Sequence, residues 1–144
     1  MSAAPAYPIV SPYLLYEDAG AAIDWLCETF GFHERLRYTD HDGVVTHAEL
    51  EVGSGGLIMI GHPGPGYRSP DRLGQNTTIV HVYVDDVDGH FLHAQSSGAR
   101  ITREAADEAY GDRRYDCKDL EGHDWSFAQI LRHVPAEEWG AAQP

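Results

Sequence analysis

Histidines and acids are the residues of this sequence that could do chemistry most directly. The chain has nine histidines, and His47 and Glu49 alternate along one predicted strand, so their side chains share a face of it. His81 lies on a second predicted strand. A neutral imidazole can take up a proton near neutral pH or bind a metal, so these three residues predict a metal site or an acid–base pair. Polar residues of an ordinary sheet surface are the alternative that spacing alone leaves open.

Tyrosines form the second group of interest. Tyr13 and Tyr83 stand before the two predicted helices, and we interpret them as equivalent positions of a repeat, on the sheet face opposite the helices. Tyr38 and Tyr67 are two further tyrosines, and a tyrosine ring can stack on an aromatic group or a cation. Arg113 could bind a carboxylate or pair with a neighbouring acid. Ordinary packing and ion pairing remain open for all five residues.

The elements that must position these side chains occur twice along the chain. In the first copy a strand precedes Asp18, which is a helix N-cap, and Gly31 ends the helix. In the second copy Asp86 and Gly98 have the same roles. Each helix is flanked by one strand before it and three after it, and the predicted strands cover residues 7–16, 32–39, 44–52, 57–60, 77–84, 100–103, 113–118 and 124–131.

This order predicts an α+β fold of two βαβββ modules that form a cupped mixed sheet, with a cleft on the side opposite the helices. We place all 144 residues in a single domain. Module one covers about residues 7–61 and module two about residues 77–131. A linker at 62–76, rich in proline and glycine, joins them, and 132–144 form a tail.

Composition narrows the classes of partner. Ten Lys and Arg against 23 Asp and Glu give a net charge of −13, which opposes binding to nucleic acid or to an anionic membrane. The longest apolar runs are too short to span a bilayer, and no basic signal segment opens the chain. Two cysteines, Cys27 and Cys117, form no disulfide framework. We therefore predict a cytoplasmic protein without nucleic-acid or membrane partners.

Three stretches resemble the vicinal oxygen chelate superfamily, which includes glyoxalase I, extradiol dioxygenases and fosfomycin- and bleomycin-resistance proteins. Two of them, Pro12–Asp18 and Val82–Asp88, precede or begin the predicted helices. The third, Tyr110–Tyr115 followed by Asp119–Phe127, is similar to the signature of the bleomycin-resistance branch, with Leu120 where proline is usual. The resemblance implies the glyoxalase-like fold of paired βαβββ modules.

The resemblance also implies where a metal would bind. Enzymes of this superfamily hold a divalent metal with His, Gln or Glu from four strands. Matching the motifs places those positions at Ser11, Met59, Ile79 and Ser126. These residue types do not bind Zn²⁺, Fe²⁺ or Mn²⁺ usefully, so we expect no metal cofactor. Neither Ser11 nor Ser126 belongs to a recognisable nucleophile motif with His and Asp.

The resemblance to the bleomycin-resistance branch implies that a flat, cationic drug is held between aromatic residues, so our leading expectation is a metal-free homodimer that sequesters a small aromatic or cationic molecule. Its ligand-binding residues would be Tyr13, Tyr38, Glu49, Tyr67, His81, Tyr83 and Arg113. The first alternative is a lyase, isomerase or dioxygenase of the same fold, with His47, Glu49 and His81 as the catalytic residues and one divalent metal ion or acid–base chemistry. The second is a structural or regulatory dimer without ligand.

Overall fold

A computed structural model describes residues 6–144, and the chain divides between Gly74 and Gln75 into two compact units. Each unit contains one four-stranded mixed sheet and one long helix that packs on it. The strands of both sheets follow one plan, in which the strand before the helix pairs in parallel with the last strand of the unit. The prediction of an α+β fold made of two βαβββ modules is confirmed.

The first unit has sheet order β1-β4-β3-β2, and only the β1–β4 pair is parallel. A short helix, α2, follows the last strand inside the segment predicted as a linker. The elements in chain order are β1 (Tyr13–Leu15), α1 (Ala19–Phe30), β2 (His33–Thr39), β3 (Val45–Val52), β4 (Gly56–Gly61) and α2 (Pro70–Leu73).

The second unit repeats this plan with sheet order β5-β8-β7-β6. A single 3₁₀ turn, Ala136–Trp139, follows its last strand within the segment predicted as a tail. The elements in chain order are β5 (Ile79–Tyr83), α3 (Val87–Ser96), β6 (Arg100–Asp107), β7 (Asp112–Lys118) and β8 (Asp124–Ile130).

Helix α1 begins and ends as the sequence predicts. The Asp18 carboxylate accepts a hydrogen bond from the Ala21 amide at 3.1 Å, and Gly31 ends the helix with a left-handed φ of 77°. The apolar stripe of the helix packs on one face of the first sheet, since Ile23 and Leu26 are buried. The sheet contributes Leu14, Ala48, Leu50, Ile58 and Ile60 to this core.

Helix α3 covers the equivalent face of the second sheet. Asp86 accepts from the Gly89 amide at 3.1 Å, as predicted for its N-cap. Below the helix Tyr115, Trp125 and Phe127 are fully buried, and the aromatic rings of Tyr115 and Phe127 stack with centroids 5.4 Å apart. Since side chains alternate along a strand, the sequence predicts that Trp125 and Phe127 face the helix, and the structure confirms this.

Two predicted elements differ in extent. The strand predicted over 7–16 is only Tyr13–Leu15, because Pro8 and Pro12 have no N–H to donate to a neighbouring strand. The strand predicted over 100–103 extends to Asp107. Its pairing with β7 is irregular on both sides of Arg103, and these bulges interrupt the regular alternation that a sequence pattern detects.

Candidate functional site

Each sheet has one face that its own helix does not cover, and most of the predicted site residues lie there. We call them the first and second helix-free faces. The first contains Tyr13, Leu15, Leu36, Tyr38, His47, Glu49, Glu51, Met59 and Gly61. The second contains Ile79, His81, Tyr83, Arg114, Asp116, Lys118, Asp124, Ser126 and Ala128.

Tyr13 and His47 form a hydrogen-bonded pair on the first helix-free face. The Tyr13 hydroxyl lies 2.7 Å from Nδ1 of His47, although Tyr13 is on β1 and His47 is on β3 with β4 between them. Gly61 of β4 makes this reach possible, because a Cβ there would lie 2.6 Å from Cε1 of Tyr13. The missing side chain of Gly61 therefore lets the phenol ring lie across β4.

Glu49 is buried on the same face, at 4% exposure, and its charge is balanced by close neighbours. The Tyr7 hydroxyl, from the segment before β1, donates to the carboxylate with both oxygens at 3.1 Å. Arg35 Nε lies 3.3 Å from Oε1, and His47 Nε2 lies 3.7 Å from Oε2. Because Arg35 already supplies a positive charge, Glu49 is poorly arranged to neutralise a cationic ligand as well.

Arg35 also holds the segment before β1 in place. Its guanidinium carbon lies 4.5 Å from the centroid of the Tyr7 ring, which is a cation–π contact. Its Nη1 donates to the Ala6 carbonyl oxygen at 3.0 Å. Tyr7 and Arg35 therefore belong to one polar cluster with Glu49, His47 and Tyr13.

His81 and Ser126 are the corresponding pair on the second helix-free face. Nδ1 of His81 lies 2.9 Å from the Ser126 Oγ, and Ser126 is fully buried. The Tyr83 ring meets the imidazole edge to face, with centroids 4.9 Å apart. Burial lowers the pKa of His81 below its ordinary value of 6.5, and the positive charge of Arg114 lowers it further.

An ion pair within one strand lies beside this histidine. Arg114 donates from Nε to Asp116 Oδ1 at 2.9 Å and from Nη2 to Oδ2 at 3.3 Å. Asp116 pairs across the sheet with Ser126, as Glu49 pairs with Met59. Arg114 and Asp116 thus occupy the positions that His47 and Glu49 occupy in the first unit.

The repeat register corrects one interpretation from the sequence. The Tyr16 amide donates to the Gly61 carbonyl, and the Val84 amide donates to the Ala128 carbonyl, so these two bonds are equivalent. Counting back along each strand makes Tyr13 equivalent to His81, not to Tyr83. Tyr83 matches Leu15 instead, because the N-capping aspartates, rather than the tyrosines, mark the repeat.

The structure brings some of the predicted residues together and separates others. Tyr38 is exposed and pairs across the sheet with His47. Tyr67 lies in the linker, where its hydroxyl donates to the Leu15 carbonyl at 2.7 Å. Arg113 is not on a helix-free face: it contacts Asp88 of α3 at 2.8 Å and Asp107 at 3.0 Å, apart from His81 and Tyr83.

The residues at the family's metal positions do not fit a metal. Met59 offers a thioether, Ile79 has no donor atom, and the Ser126 hydroxyl is engaged with His81. Of the three residues predicted as an alternative site, His47 and Glu49 lie on the first helix-free face and His81 lies on the second. Within residues 6–144, no group of three or more His, Cys, Asp or Glu side chains has a metal-binding arrangement.

Four functional candidates were not selected from the sequence. Tyr7 and Arg35 reach Glu49 through the segment before β1 and through a bulge between Glu34 and Leu36, and neither feature has a sequence signal. Arg114 and Ser126 could have been found by parity, because the core residues Tyr115 and Phe127 place their neighbours on the opposite face.

A pocket of about 570 Å³ lies in the first unit beside the Tyr7 segment. One wall is the segment itself, a second is Arg35 with Glu51, and the third is the turn between β3 and β4. The lining residues are Ala6, Tyr7, Pro8, Arg35, Glu51, Gly53, Ser54, Gly55, Gly56 and Leu57. A second, smaller pocket of about 260 Å³ adjoins Tyr83, Val84, Asp85, Gln129 and Ile130.

The fold and these faces define a glyoxalase-like protein, and comparison with known families agrees. Residues 9–127 match the model of the Glyoxalase/Bleomycin resistance protein/Dioxygenase superfamily. The chain therefore belongs to this superfamily. No helix among the described residues has the length and hydropathy needed to cross a membrane.

Relatives extend over nearly the whole chain. An uncharacterised protein of Mycobacterium bovis is 35% identical over 140 residues, covering 94% of this chain and 91% of the relative. The crystal structure of TioX from Micromonospora sp. ML1 is also 35% identical, with a TM-score of 0.68, and covers 85% of this chain and 99% of TioX. The fosfomycin resistance protein FosX from Listeria monocytogenes is 12% identical, with a TM-score of 0.62 over 93% of this chain and 98% of FosX, and shows the shared fold alone.

Proposed function

We propose that this chain binds a small aromatic molecule by stacking, without a metal, and acts by stoichiometric sequestration. The observation that carries the proposal is the exposure of tyrosines on the helix-free faces. Tyr13 is 51% exposed, Tyr38 is 60% exposed and Tyr83 is 59% exposed. Aromatic rings at the surface of a rigid sheet offer a large contact area at small entropic cost. Membership of a superfamily that includes resistance proteins supports the same function.

The charges favour an aromatic ligand over one selected by positive charge. Glu49 is paired with Arg35 and Asp116 is paired with Arg114, so the central acid of each helix-free face already has a cationic partner. A ligand that depended on either acid would have to break an existing ion pair. Stacking on tyrosine has no such cost.

Calorimetry against a panel of flat compounds tests the proposal. The panel contains bleomycin and acridine orange as cations and naphthalene-1-sulfonate as an anion. We expect at least one saturable, stoichiometric interaction. Tyr13→Ala and Tyr83→Ala should weaken it about two- to tenfold at the face that binds, because an aromatic pair contributes about 0.5–1.5 kcal/mol. The matched variants Tyr13→Phe and Tyr83→Phe should retain most of the affinity, and absence of binding across the panel would overturn the proposal.

The metal-free part of the proposal has its own test. The chain is purified without a histidine tag, and its metal content is measured by mass spectrometry. We expect substoichiometric Zn, Fe, Mn and Ni, because Ser11, Met59, Ile79 and Ser126 provide no adequate donor set. One tightly bound divalent ion per chain would exclude this part of the proposal.

A homodimer is also part of the proposal. The strands β1, β2, β5 and β6 are sheet edges, and uncovered edges favour pairing with another chain or covering by it. Light scattering coupled to size exclusion should give twice the chain mass of 15.9 kDa. A monomeric mass at micromolar concentration would contradict it.

One observation favours a second function, acid–base catalysis on the second helix-free face. His81 is held by Ser126 at 2.9 Å and has a lowered pKa, so its base form persists to lower pH. Hydrolysis of p-nitrophenyl acetate is the probe. A rate that falls in both His81→Gln and Ser126→Ala, but not in His47→Gln, would support this function. Equal rates in all three variants would exclude it.

A further inference from the structure

Tyr7 is held on the first helix-free face in the way that a protein holds a small ligand. Its hydroxyl donates to the Glu49 carboxylate at 3.1 Å from each oxygen, and its ring lies 4.5 Å from the Arg35 guanidinium carbon. Glu49 is almost fully buried, yet Tyr7 itself is 52% exposed. The holding groups therefore belong to the sheet, whereas the tyrosine lies over them from outside.

These contacts select one kind of chemical group. A carboxylate can only accept hydrogen bonds, so its occupant must be a donor. Arg35 lies 3.3 Å from the carboxylate and balances its charge, which favours a neutral hydroxyl over an ammonium group. The same guanidinium favours an aromatic ring beside the hydroxyl. A neutral phenol satisfies all of these requirements.

The surroundings leave room for an external molecule. Arg35 and Tyr7 both line the pocket of about 570 Å³, so a ligand whose phenol replaced the tyrosine ring would have empty volume beside it for the rest of the molecule. Ile9 and Val10, which follow Tyr7, are almost fully exposed. Displacing this part of the segment would therefore uncover little additional apolar surface.

We infer that Glu49 and Arg35 form a phenol-binding site, that Tyr7 occupies it from within the chain, and that a phenolic ligand binds by displacing Tyr7. This inference names a ligand class for the first helix-free face and to that extent rests on the proposed function. A ligand that carries a phenol and a larger flat body would bind Glu49 through its hydroxyl and fill the adjacent pocket.

The inference is tested by removing the Tyr7 side chain and adding a free phenol in its place. Tyr7→Ala removes the internal phenol, and p-cresol, which reproduces the tyrosine side chain, is added back. Binding is followed by amide chemical shifts of Arg35 and Glu49 in nuclear magnetic resonance titrations. We expect p-cresol to bind Tyr7→Ala at least about tenfold more tightly than the wild-type chain, because it no longer competes with Tyr7. The melting temperature of Tyr7→Ala, but not of wild type, should rise with added p-cresol.

Two matched controls separate a phenol site from general hydrophobic binding. The methyl ether 4-methylanisole has the same ring but no donor, so it should bind Tyr7→Ala at least about fivefold more weakly than p-cresol. Tyr110→Ala removes a tyrosine of the other unit, whose ring meets Trp139 with centroids 5.8 Å apart, and its affinity for p-cresol should equal that of wild type. If Tyr7→Ala does not fold, Tyr7→Phe removes only the hydroxyl and allows the same comparison of the two ligands.

The outcomes are decisive for the inference. Equal affinity of wild type and Tyr7→Ala for p-cresol, or equal affinity of Tyr7→Ala for p-cresol and 4-methylanisole, would overturn it. With Tyr7→Phe as the only folded variant, equal affinity for the two ligands would have the same consequence. Failure of the aromatic panel against the wild-type chain, with rescue by p-cresol intact, would instead reject sequestration and leave the phenol site standing.

Discussion

The two helix-free faces have the same strand plan, but different kinds of neighbour cover the central acid of each face and balance its charge. On the first face Glu49 is covered by residues from outside its own strand, Tyr7 and Arg35. On the second face Asp116 is paired by its strand neighbour Arg114 and remains partly exposed. The repeat therefore conserves the position of an acid while the means of balancing its charge differ.

The residues at the centre of each face explain a further difference. Gly61 of the first unit corresponds to Ala128 of the second, since each accepts from the amide that follows the first strand of its unit. Without a side chain, Gly61 lets Tyr13 reach His47, and the resulting pair joins two strands that are not adjacent. On the second face the bond of His81 is to Ser126, its direct cross-strand neighbour. Gly61 and Ala128 differ by one methyl group, and the side-chain pair that spans an intervening strand lies on the face that has the glycine.

The largest effect should come from the two acids. Glu49→Gln leaves the largely buried Arg35 without its charged partner, and we expect a loss of about 3 kcal/mol in the free energy of unfolding. The matched variant Asp116→Asn affects a pair that is partly exposed, so its cost should be about 1 kcal/mol. Urea denaturation of both variants measures the difference. Equal losses would show that the covering by Tyr7 has no energetic consequence.

The two helix caps should each contribute about 1 kcal/mol. Asp18→Ala and Asp86→Ala each remove one side-chain bond to a backbone amide at the start of a helix. Because the chain forms two compact units, we expect lost amide protection to be confined mainly to the unit that carries the substitution. Hydrogen exchange with mass spectrometry measures this. Equal loss in both units for either variant would contradict their independence.

The second face should make stability depend on pH through His81. Burial and Arg114 lower the pKa of His81 below 6.5, so the unfolded chain takes up this proton before the folded chain does. This contribution to stability is complete above pH 6.5 and is lost as the pH falls from 6.5 through the lowered pKa. The free energy of unfolding should therefore fall less on acidification in His81→Gln than in wild type. Parallel curves for the two proteins would count against the shift.

A companion variant identifies the cause of that shift. Arg114→Gln removes the positive charge and should raise the pKa of His81, measured by nuclear magnetic resonance titration of its ring proton. Arg37→Gln, which breaks an ion pair with Asp24 on the other unit, is the control and should leave the His81 pKa unchanged. A shift of the same size in both variants would assign the effect to net charge instead.

The smallest effect should concern the part of the linker that Glu17 of the first unit holds through Ser69 and Arg72. Hydrogen bonds from Ser69, together with Arg72, lower the pKa of Glu17 from 4.5 to about 2. The stabilisation that Glu17 gains from Ser69 and Arg72 is complete above pH 4.5 and is lost as the pH falls through about 2. Glu17→Gln should speed hydrogen exchange of the Ser69 amide with little change in global stability, and Glu104→Gln, in the other unit, should not. Unchanged exchange of the Ser69 amide in Glu17→Gln would show that Glu17 does not hold the linker.

Much of the fold and part of the site could be predicted from the sequence. The caps at Asp18 and Asp86, the apolar stripe of α1 and the faces of Glu49 and Trp125 follow from local periodicity, and the structure agrees with them. The equivalence assigned to Tyr13 and Tyr83 was wrong, because similar residue types near two helices do not fix a register. Only the hydrogen bonds between strands fix it.

The sequence alone determined the repeat, the superfamily and the faces on which Tyr13, Glu49 and His81 lie, because side-chain direction along a strand alternates with period two. The tertiary structure decided which of these residues meet. Tyr7 lies 42 positions from Glu49, and Ser126 lies 45 positions from His81. Such contacts depend on strand order, on a bulge in β2 and on the absent side chain of Gly61, and pairing across strands leaves no periodic trace in one chain's local pattern.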